Sequence, residues 1–380
     1  MRNSIVVLWV LFIFCGDVYA QSRPAKKGKG KAKAAVEEKK EAPKKEELWT
    51  HSGGTLLNVS FAADGKSAVS VNSEGTIFFW DAESGKKIRS VHHGIKATAA
   101  TFFGNKKVTL AGGLDKDNAI FILDLSNRKE TQTIAGHKGG TKTLAFSTDG
   151  ENVLSGGWNN QIVLWGGEHG DILRVFKDHD EAVNAVAVSP DRVIAASGSA
   201  DGKIKIWNMS TGELVQTIKA HKKGVLKVAF SPDGKTILSG GIEKGKAKKD
   251  IYPLQLWELA TGKPLGKTNF TEYKQALTTV LFSPNGKFIL SGERAGTSTP
   301  DETLQLWDMA SAGDVIPKGA TPPQPMRTFE GHAGKISTAS FSPDGTRVLA
   351  GGDGTLTIWE TETGKVLGGG KPPATEKPKE

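Results

Sequence analysis

A short apolar segment ending in tryptophan returns along this chain at a nearly fixed interval, and no other feature limits the fold as strongly. The copies are Ile77-Phe78-Phe79-Trp80, Ile120-Phe121-Ile122-Leu123, Ile162-Val163-Leu164-Trp165, Ile204-Lys205-Ile206-Trp207, Leu254-Gln255-Leu256-Trp257, Leu304-Gln305-Leu306-Trp307 and Leu356-Thr357-Ile358-Trp359. Their closing residues are 43, 42, 42, 50, 50 and 52 positions apart. A unit of this length cannot enclose a core alone, so the period implies repeats that bury their apolar faces against their neighbours.

Each copy also repeats its punctuation. An apolar strand ending in Phe runs into Ser-Pro-Asp-Gly or a variant, as in Ala229-Phe230-Ser231-Pro232-Asp233-Gly234 and Ser340-Phe341-Ser342-Pro343-Asp344-Gly345, and a second strand ends in Ser-Gly. Asp-Gly and Asn-Gly pairs supply the positive φ that tight reversals demand. A further turn follows the tryptophan strand at Thr211-Gly212, Thr261-Gly262 and Thr363-Gly364. Four strands per copy follow, and seven copies predict an all-β, seven-bladed β-propeller of four-stranded antiparallel blades. The 46 glycines agree, because long helices avoid so many.

The chain resembles the WD-repeat family over residues 48–365, through Gly136-His137 and Gly331-His332 before the first strand and Trp80-Asp81 and Trp307-Asp308 after the third. Repeat two departs with Leu123, repeat one lacks a clear Gly-His, and repeat six has Tyr273 and Gln275 where histidine would stand. The resemblance implies a hydrogen-bonded tetrad, best placed at His179, Ser197, Asp201 and Trp207, with His137, Ser155, Asn159 and Trp165 as a second set. Such a set would lock one blade's strands together. The same residue types can form a nucleophilic triad. Recurrence at the repeat period, without a nucleophile-elbow pattern, favours the structural role, so no catalytic residue is assigned. His137, His179, His221, His332 and one of His92 and His93 are used this way, which leaves no pair at metal-ligand spacing; neither a metal nor a cofactor is expected. For ring closure the resemblance implies that Leu48-Trp49-Thr50 forms the outermost strand of the last repeat. The competing assignment gives that strand to Lys365-Val366-Leu367-Gly368 and leaves Trp49 as a loose flank.

The termini read differently. Residues 1–20 combine Arg2, an apolar run from Ile5 to Phe14 and small or permissive residues at Val18 and Ala20, the anatomy of a secretory signal peptide cleaved after Ala20. The run is shorter than the about 20 residues a spanning helix needs, so the mature chain is not expected to cross a membrane. Cys15, the only cysteine, would leave with the signal, because bulky Phe14 is a poor lipidation context; the mature chain then forms no disulfide. Residues 21–47 are almost wholly Lys, Ala, Glu, Pro and Gly, and they and the 366–380 tail are read as disordered. The 21–47 tether carries +5 and the tail +1 of the formal +9, leaving the 48–365 ring near +3. The tether is therefore a soluble spacer or a weak contact for anionic lipid, cell-wall polymer or another polyanion. Of the sequons at Asn58, Asn208 and Asn269, the first two fall in or beside predicted strands, which favours export to a bacterial periplasm or exterior over a glycosylating route.

Function is sought where copies differ, since positions common to all repeats serve folding. Repeat five carries an insertion from Glu243 to Pro253 with Lys244, Lys246, Lys248, Lys249 and Tyr252, and repeat six one from Glu293 to Glu302 with Arg294. Both fall between second and third strands, hence on one face. Trp158 occupies the matching loop of repeat three, at a spot that the resemblance marks as partner-contacting. One reading makes Trp158 an aromatic anchor and the basic loop a guide for an acidic protein partner. The other packs Trp158 flat on its own blade. A proline-rich insertion, Ala310 to Pro325, falls on the opposite face. The chain is thus expected to be a non-catalytic protein-binding scaffold with no specific nucleic-acid partner. An enzymatic propeller would need convergent acids, a metal cluster or a cofactor motif, and the sequence offers none.

Overall fold

The computed structural model describes residues 49–103, 107–112, 118–125, 129–166, 170–245, 249–266, 273–293, 304–309 and 324–369. The expectations for residues 1–48, for Lys246, Lys248 and Arg294, and for most of the 310–325 insertion lie outside the described residues. Among the described residues no helix is long and apolar enough to cross a membrane.

The chain runs as strands and turns. β5 (Ala97–Phe103), β6 (Lys107–Gly112), β7 (Ala119–Asp124) and β8 (Lys129–Ala135) form one antiparallel meander. β9 (Thr141–Phe146), β10 (Asn152–Gly157), β11 (Gln161–Gly166) and β12 (Ile172–Lys177) form the next, followed by β13 (Val183–Val188), β14 (Ile194–Ser199), β15 (Lys203–Asn208) and β16 (Leu214–Lys219). β17 (Gly224–Phe230), β18 (Thr236–Lys244), β20 (Leu254–Glu258) and β21 (Pro264–Leu265) repeat the pattern, with the short β19 (Asp250–Ile251) paired to the end of β18. β22 (Leu277–Phe282), β23 (Phe288–Glu293), β24 (Leu304–Asp308) and β25 (Arg327–Phe329) make the fifth such sheet of this β-propeller. The remaining strands join into one seven-stranded sheet: β1 (Thr50–Phe61), β2 (Ser67–Asn72), β3 (Thr76–Asp81) and β4 (Lys87–His92) with β26 (Ile336–Phe341), β27 (Arg347–Glu360) and β28 (Val366–Gly369).

The turn chemistry explains the meanders. In the Ser231–Gly234 turn the Ser231 hydroxyl donates to Asp233 Oδ1 at 2.6 Å and accepts the Thr236 N–H at 2.9 Å, while Gly234 N–H closes onto Ser231 O at 2.9 Å with φ +70. Asp149, Asp191, Asn285 and Asp344 hold the equivalent turns through Ser147, Ser189, Ser283 and Ser342.

First strands neighbour one another in chain order, β1 against β5, β9, β13, β17, β22 and β26 in succession, with β26 back against β1. Apolar clusters fill the gaps between successive sheets; Leu154, Ile162, Phe176, Val183 and Trp207, for example, join the third and fourth repeats. Each first strand also carries a one-residue register shift, which leaves Leu57, Thr98, Lys142, Asn184, Leu226, Thr278 and Ser337 as the extra residues. A bulge re-aims a side chain, and here several reach the next sheet. Thr98 Oγ1 donates to Thr141 O at 3.1 Å, Asn184 Nδ2 to Val225 O at 2.9 Å and Ser337 Oγ to Leu56 O at 2.6 Å.

Two expectations about the ends are corrected. β28 pairs with β27 through Thr357↔Gly369, Ile358↔Gly368 and Trp359↔Val366, so the outer strand of the last repeat comes from the C-terminal side, and ordered chain runs past 365 to 369. The Leu48-Trp49-Thr50 segment does not supply it, yet Trp49 is not loose either. It is 1% exposed, stacks on Trp80 at 5.9 Å, donates its N–H to Gly85 O at 2.9 Å and accepts Leu356 N–H at 2.8 Å. Thr50 and Thr55 pair with Thr355 and Asp353, which joins the first and last repeats into a single sheet.

Candidate functional site

The residues that could have been catalytic are built into the walls. His179 Nδ1 lies 2.8 Å from Asp201 Oδ2 and its Nε2 2.8 Å from Ser197 Oγ, while Trp207 Nε1 donates to the same oxygen at 2.9 Å. With Nδ1–H on the carboxylate, the ring accepts the serine proton on Nε2 and the serine lone pair takes the indole N–H. The connectivity is that of a hydrolytic triad, but Ser197 is fully buried and the electron pair that would attack is already hydrogen-bonded. The unit ties second and third strands to the loop before the first.

The same device recurs with substitutions. His137 bridges Asn159 Oδ1 at 2.9 Å and Ser155 Oγ at 2.7 Å, with Trp165 Nε1 on Ser155 at 2.7 Å. His221 and Trp257 converge on Ser239 at 2.8 Å each. A methyl at Gly241 would overlap the His221 ring, so the second glycine of Ser239-Gly240-Gly241 makes the room. In repeat six, Tyr273 takes the imidazole's place: its hydroxyl lies 2.5 Å from Ser291 Oγ and donates to Gln305 Oε1 at 2.7 Å, while Trp307 Nε1 donates to Ser291 at 2.9 Å. Repeat two dispenses with the device, because Leu110 and Leu123 stand where serine and tryptophan stand elsewhere, and an apolar pair leaves no orphaned donor. Burial lowers His137 below histidine's ordinary range and takes His221 and His332 down to about 4, so these rings are neutral structural parts at neutral pH. Among the described residues no cluster of three or more His, Cys, Asp or Glu could hold a metal.

The exposed chemistry gathers around Trp158. It sits in the turn between β10 and β11, 53% exposed, with its N–H donating to Gly140 O at 3.1 Å. Lys142, the extra residue of β9, places Nζ 3.8 Å from the centre of the Trp158 ring and donates to Asn184 Oδ1 at 2.5 Å. The side chain is therefore half-exposed, with the ammonium of a neighbouring strand of its own sheet on its ring. Next along the turn, Asn160 at φ +62 donates to Asp180 O at 2.8 Å and links this turn to the following repeat.

The lysine-bearing insertion of repeat five is an arm of sheet. β18 and β19 pair through Glu243↔Ile251 and Lys244↔Asp250. Asp250 also binds Lys223 Nζ at 2.8 Å, with Lys244 Nζ at 3.7 Å, while Lys249 is exposed. Tyr252 turns inward: its N–H donates to Tyr273 O at 2.9 Å and its half-buried ring packs on the cluster around Leu277 and Trp307. Trp158 and Lys142 are thus brought together, Lys244 and Lys249 occupy a separate arm, and Tyr252 joins that arm to the next sheet. Sequence reasoning missed Lys142, whose only signal is its position one residue after Thr141 in a strand with a bulge.

The family model for the WD domain, G-beta repeat matches residues 128–166, 170–208, 212–245, 262–308 and 323–360. A cell division cycle 20.5 protein, cofactor of APC complex, from Arabidopsis thaliana is 26% identical over 335 residues, 85% of this chain and 58% of that protein. Guanine nucleotide-binding protein subunit beta-5b of Danio rerio is 26% identical over 313 residues, 81% of this chain and 73% of its own. Cilia- and flagella-associated protein 52 of Chlamydomonas reinhardtii is 30% identical over 147 residues, 36% of this chain and 22% of its own. The chain therefore spans less than two thirds of the first of these relatives and under a quarter of the third.

Proposed function

The chain belongs to the WD domain, G-beta repeat family, and from that premise we propose that it is a non-catalytic scaffold, exported to a bacterial envelope or exterior, that holds a protein partner on one face of a seven-bladed ring. The blade count rests on the closed succession of first strands and on the apolar cluster of Leu56, Trp80, Leu349 and Ile358, which lies inside the seven-stranded sheet as other clusters lie between separate sheets. That sheet is read as two blades fused at the closure.

The observation that carries the binding reading is Trp158, half out of the protein with Lys142 over its ring, in a molecule whose other tryptophans of the repeat are buried. Tryptophan is among the residues most enriched as energetic anchors of interfaces. Relatives described as a cofactor of the APC complex and as a subunit of a guanine nucleotide-binding protein favour work within protein assemblies. Lys244 and Lys249, with Lys246, Lys248 and Arg294 of the same insertions, would steer an acidic partner toward that face and set association rate more than affinity. The absence of catalysis is supported by the burial of each serine that touches an imidazole. Export rests on residues 1–20. A bacterial route is favoured because Asn58 Nδ2 donates to Ala100 O and Asn208 Oδ1 holds the Ser210 and Thr211 N–H groups, so neither amide suits a glycan.

The test is affinity capture from envelope extract with the intact protein, Trp158→Ala, and a variant lacking 243–253. A partner held by the intact protein should bind Trp158→Ala roughly 30-fold more weakly, as befits an anchor worth about 2 kcal/mol. A catch unchanged in both variants would move the site to the other face. A version lacking 21–47 reports the tether separately, through loss of any salt-sensitive polyanion binding.

A further inference from the structure

The first strands β1, β5, β9, β17, β22 and β26 line a cavity of about 510 Å³ where they face one another. Its wall is electrically one-sided: Lys142 and Lys227 are among its lining residues, hydroxyl, aliphatic and phenylalanine side chains make up most of the rest, and no Asp or Glu is among the described residues that line it. Neither ammonium pairs with a carboxylate among the described residues. Lys142 is engaged by two neutral groups, the Asn184 amide oxygen and the Trp158 ring. Lys227, half-buried in β17, has no hydrogen bond or ion pair among the described residues. Burial holds both ammonium groups below lysine's ordinary range.

Two of the hydroxyls stand out. In the circlet formed by the bulged residues, Thr98 and Ser337 spend their hydroxyls on the next strand's carbonyl, but Thr278 Oγ1 is buried with no partner. Ser340 Oγ, on the adjacent strand β26, is also buried and unpartnered. Hydroxyls buried without a partner are uncommon and call for an explanation, and an uncompensated ammonium in an enclosed space is costlier still.

These groups share one chemistry: two cations and several O–H donors, with no anionic acceptor. That wall repels a metal ion. A neutral sugar would leave both lysines uncompensated. We infer that the central cavity is a binding site for a small doubly charged oxyanion of the phosphate class, seated on Lys227 and completed by Lys142 and the hydroxyls of Thr278 and Ser340. The site shares Lys142 with the protein-binding reading but is centred on Lys227, which has no part in that reading, so a change at Lys227 tests the cavity without touching the Trp158–Lys142 pair.

The experiment titrates the full-length protein with inorganic phosphate at constant ionic strength, read by calorimetry and by the shift in Tm. Parallel arms use glycerol phosphate, to separate a free ion from a monoester, and succinate, to separate phosphate from dicarboxylate. Wild type should bind phosphate or its monoester saturably with a Kd in the millimolar range or below, and its Tm should rise with occupancy. Lys227→Met should lose roughly tenfold or more in affinity, whereas Lys235→Met, at an exposed turn, should bind as wild type does. If Lys227→Met does not fold, Lys227→Gln and Thr278→Val serve in its place. No saturable binding by wild type, equal binding by the Lys227 variant, equal loss in Lys235→Met, or tighter binding of succinate than of phosphate would each overturn the assignment.

Discussion

If Trp49 closes the ring, replacing it should cost far more than its place beside an uncharacterised N-terminal segment would suggest. The residue sits at φ +57, a backbone region that a bulky side chain adopts only under constraint. Its constraint is visible: N–H to Gly85, C=O to Leu356, and an indole stacked on Trp80 at an interplanar angle of 20°. Trp49→Ala removes a fully buried indole, for which truncation costs about 3–5 kcal/mol. Gly85→Ala attacks the same contact from the other side, because its methyl would run into the Trp49 ring, and it adds the penalty of a side chain at φ +75. Once the indole is gone, that overlap is gone too. The two changes should therefore be non-additive by about 1–3 kcal/mol, with the second cheaper in the background of the first. Urea unfolding of the four proteins, followed by tryptophan fluorescence and circular dichroism, measures the cycle. A cost for Trp49→Ala below about 1 kcal/mol, or strict additivity with Gly85→Ala, would refute the closure argument.

Other outcomes follow from the buried polar units. His221 and His332 titrate near 4 in the folded ring against 6.5 in an open chain, so the unfolded state takes up protons first. Stability is then full above pH 6.5 and falls as pH drops toward 4, by about 3 kcal/mol per histidine at about 1.4 kcal/mol per pH unit; urea midpoints at pH 7 and 5 that coincide would contradict this. Tyr273→Phe should destabilise by about 1–3 kcal/mol, since Ser291 and Gln305 lose the hydroxyl between them, and thermal unfolding reads it. Ser239→Ala should cost a similar amount by orphaning the Trp257 indole N–H beside His221. Arg192, at φ +64 where sister turns have glycine, pairs with Asp149; Arg192→Gly should be neutral or stabilising by up to about 1 kcal/mol, because relief of backbone strain outweighs an exposed ion pair.

What the sequence made legible was whatever the chain repeats. The tryptophan-ended strands and the Ser-Pro-Asp-Gly turns occupy the elements expected of them, and His179, Ser197, Asp201 and Trp207 form one hydrogen-bonded unit. What escaped was set by contacts between distant parts. Tyr273 could be seen to replace a histidine, but that its phenol would reach Ser291, eighteen positions on, depends on side-chain length within a formed sheet. The insertion after Glu243 was legible as a basic loop; pairing of Lys244 with Asp250 turns its base into a strand extension and draws Tyr252 inward. The closure was half legible: the assignment of the outer strand to Lys365-Val366-Leu367-Gly368 matches β28, but it left Trp49 loose, while the other assignment gave Trp49 that strand. Terminal segments obey no repeat, so periodicity carries no information about them.

The buried units and the bulged first strands divide the work of the ring. Serine, indole and imidazole fasten strands within a sheet, and they do so with side chains that are removed from solvent. The extra residue of several first strands fastens one sheet to the next, and its identity changes from Thr98 to Lys142 to Asn184 without disturbing the backbone shift that positions it. That position tolerates variation because the bulge needs only an additional residue, whatever its side chain. It is therefore where a repeat can acquire chemistry at no cost to the fold, and Lys142, which touches both the Trp158 ring and the central cavity, is the residue that has done so.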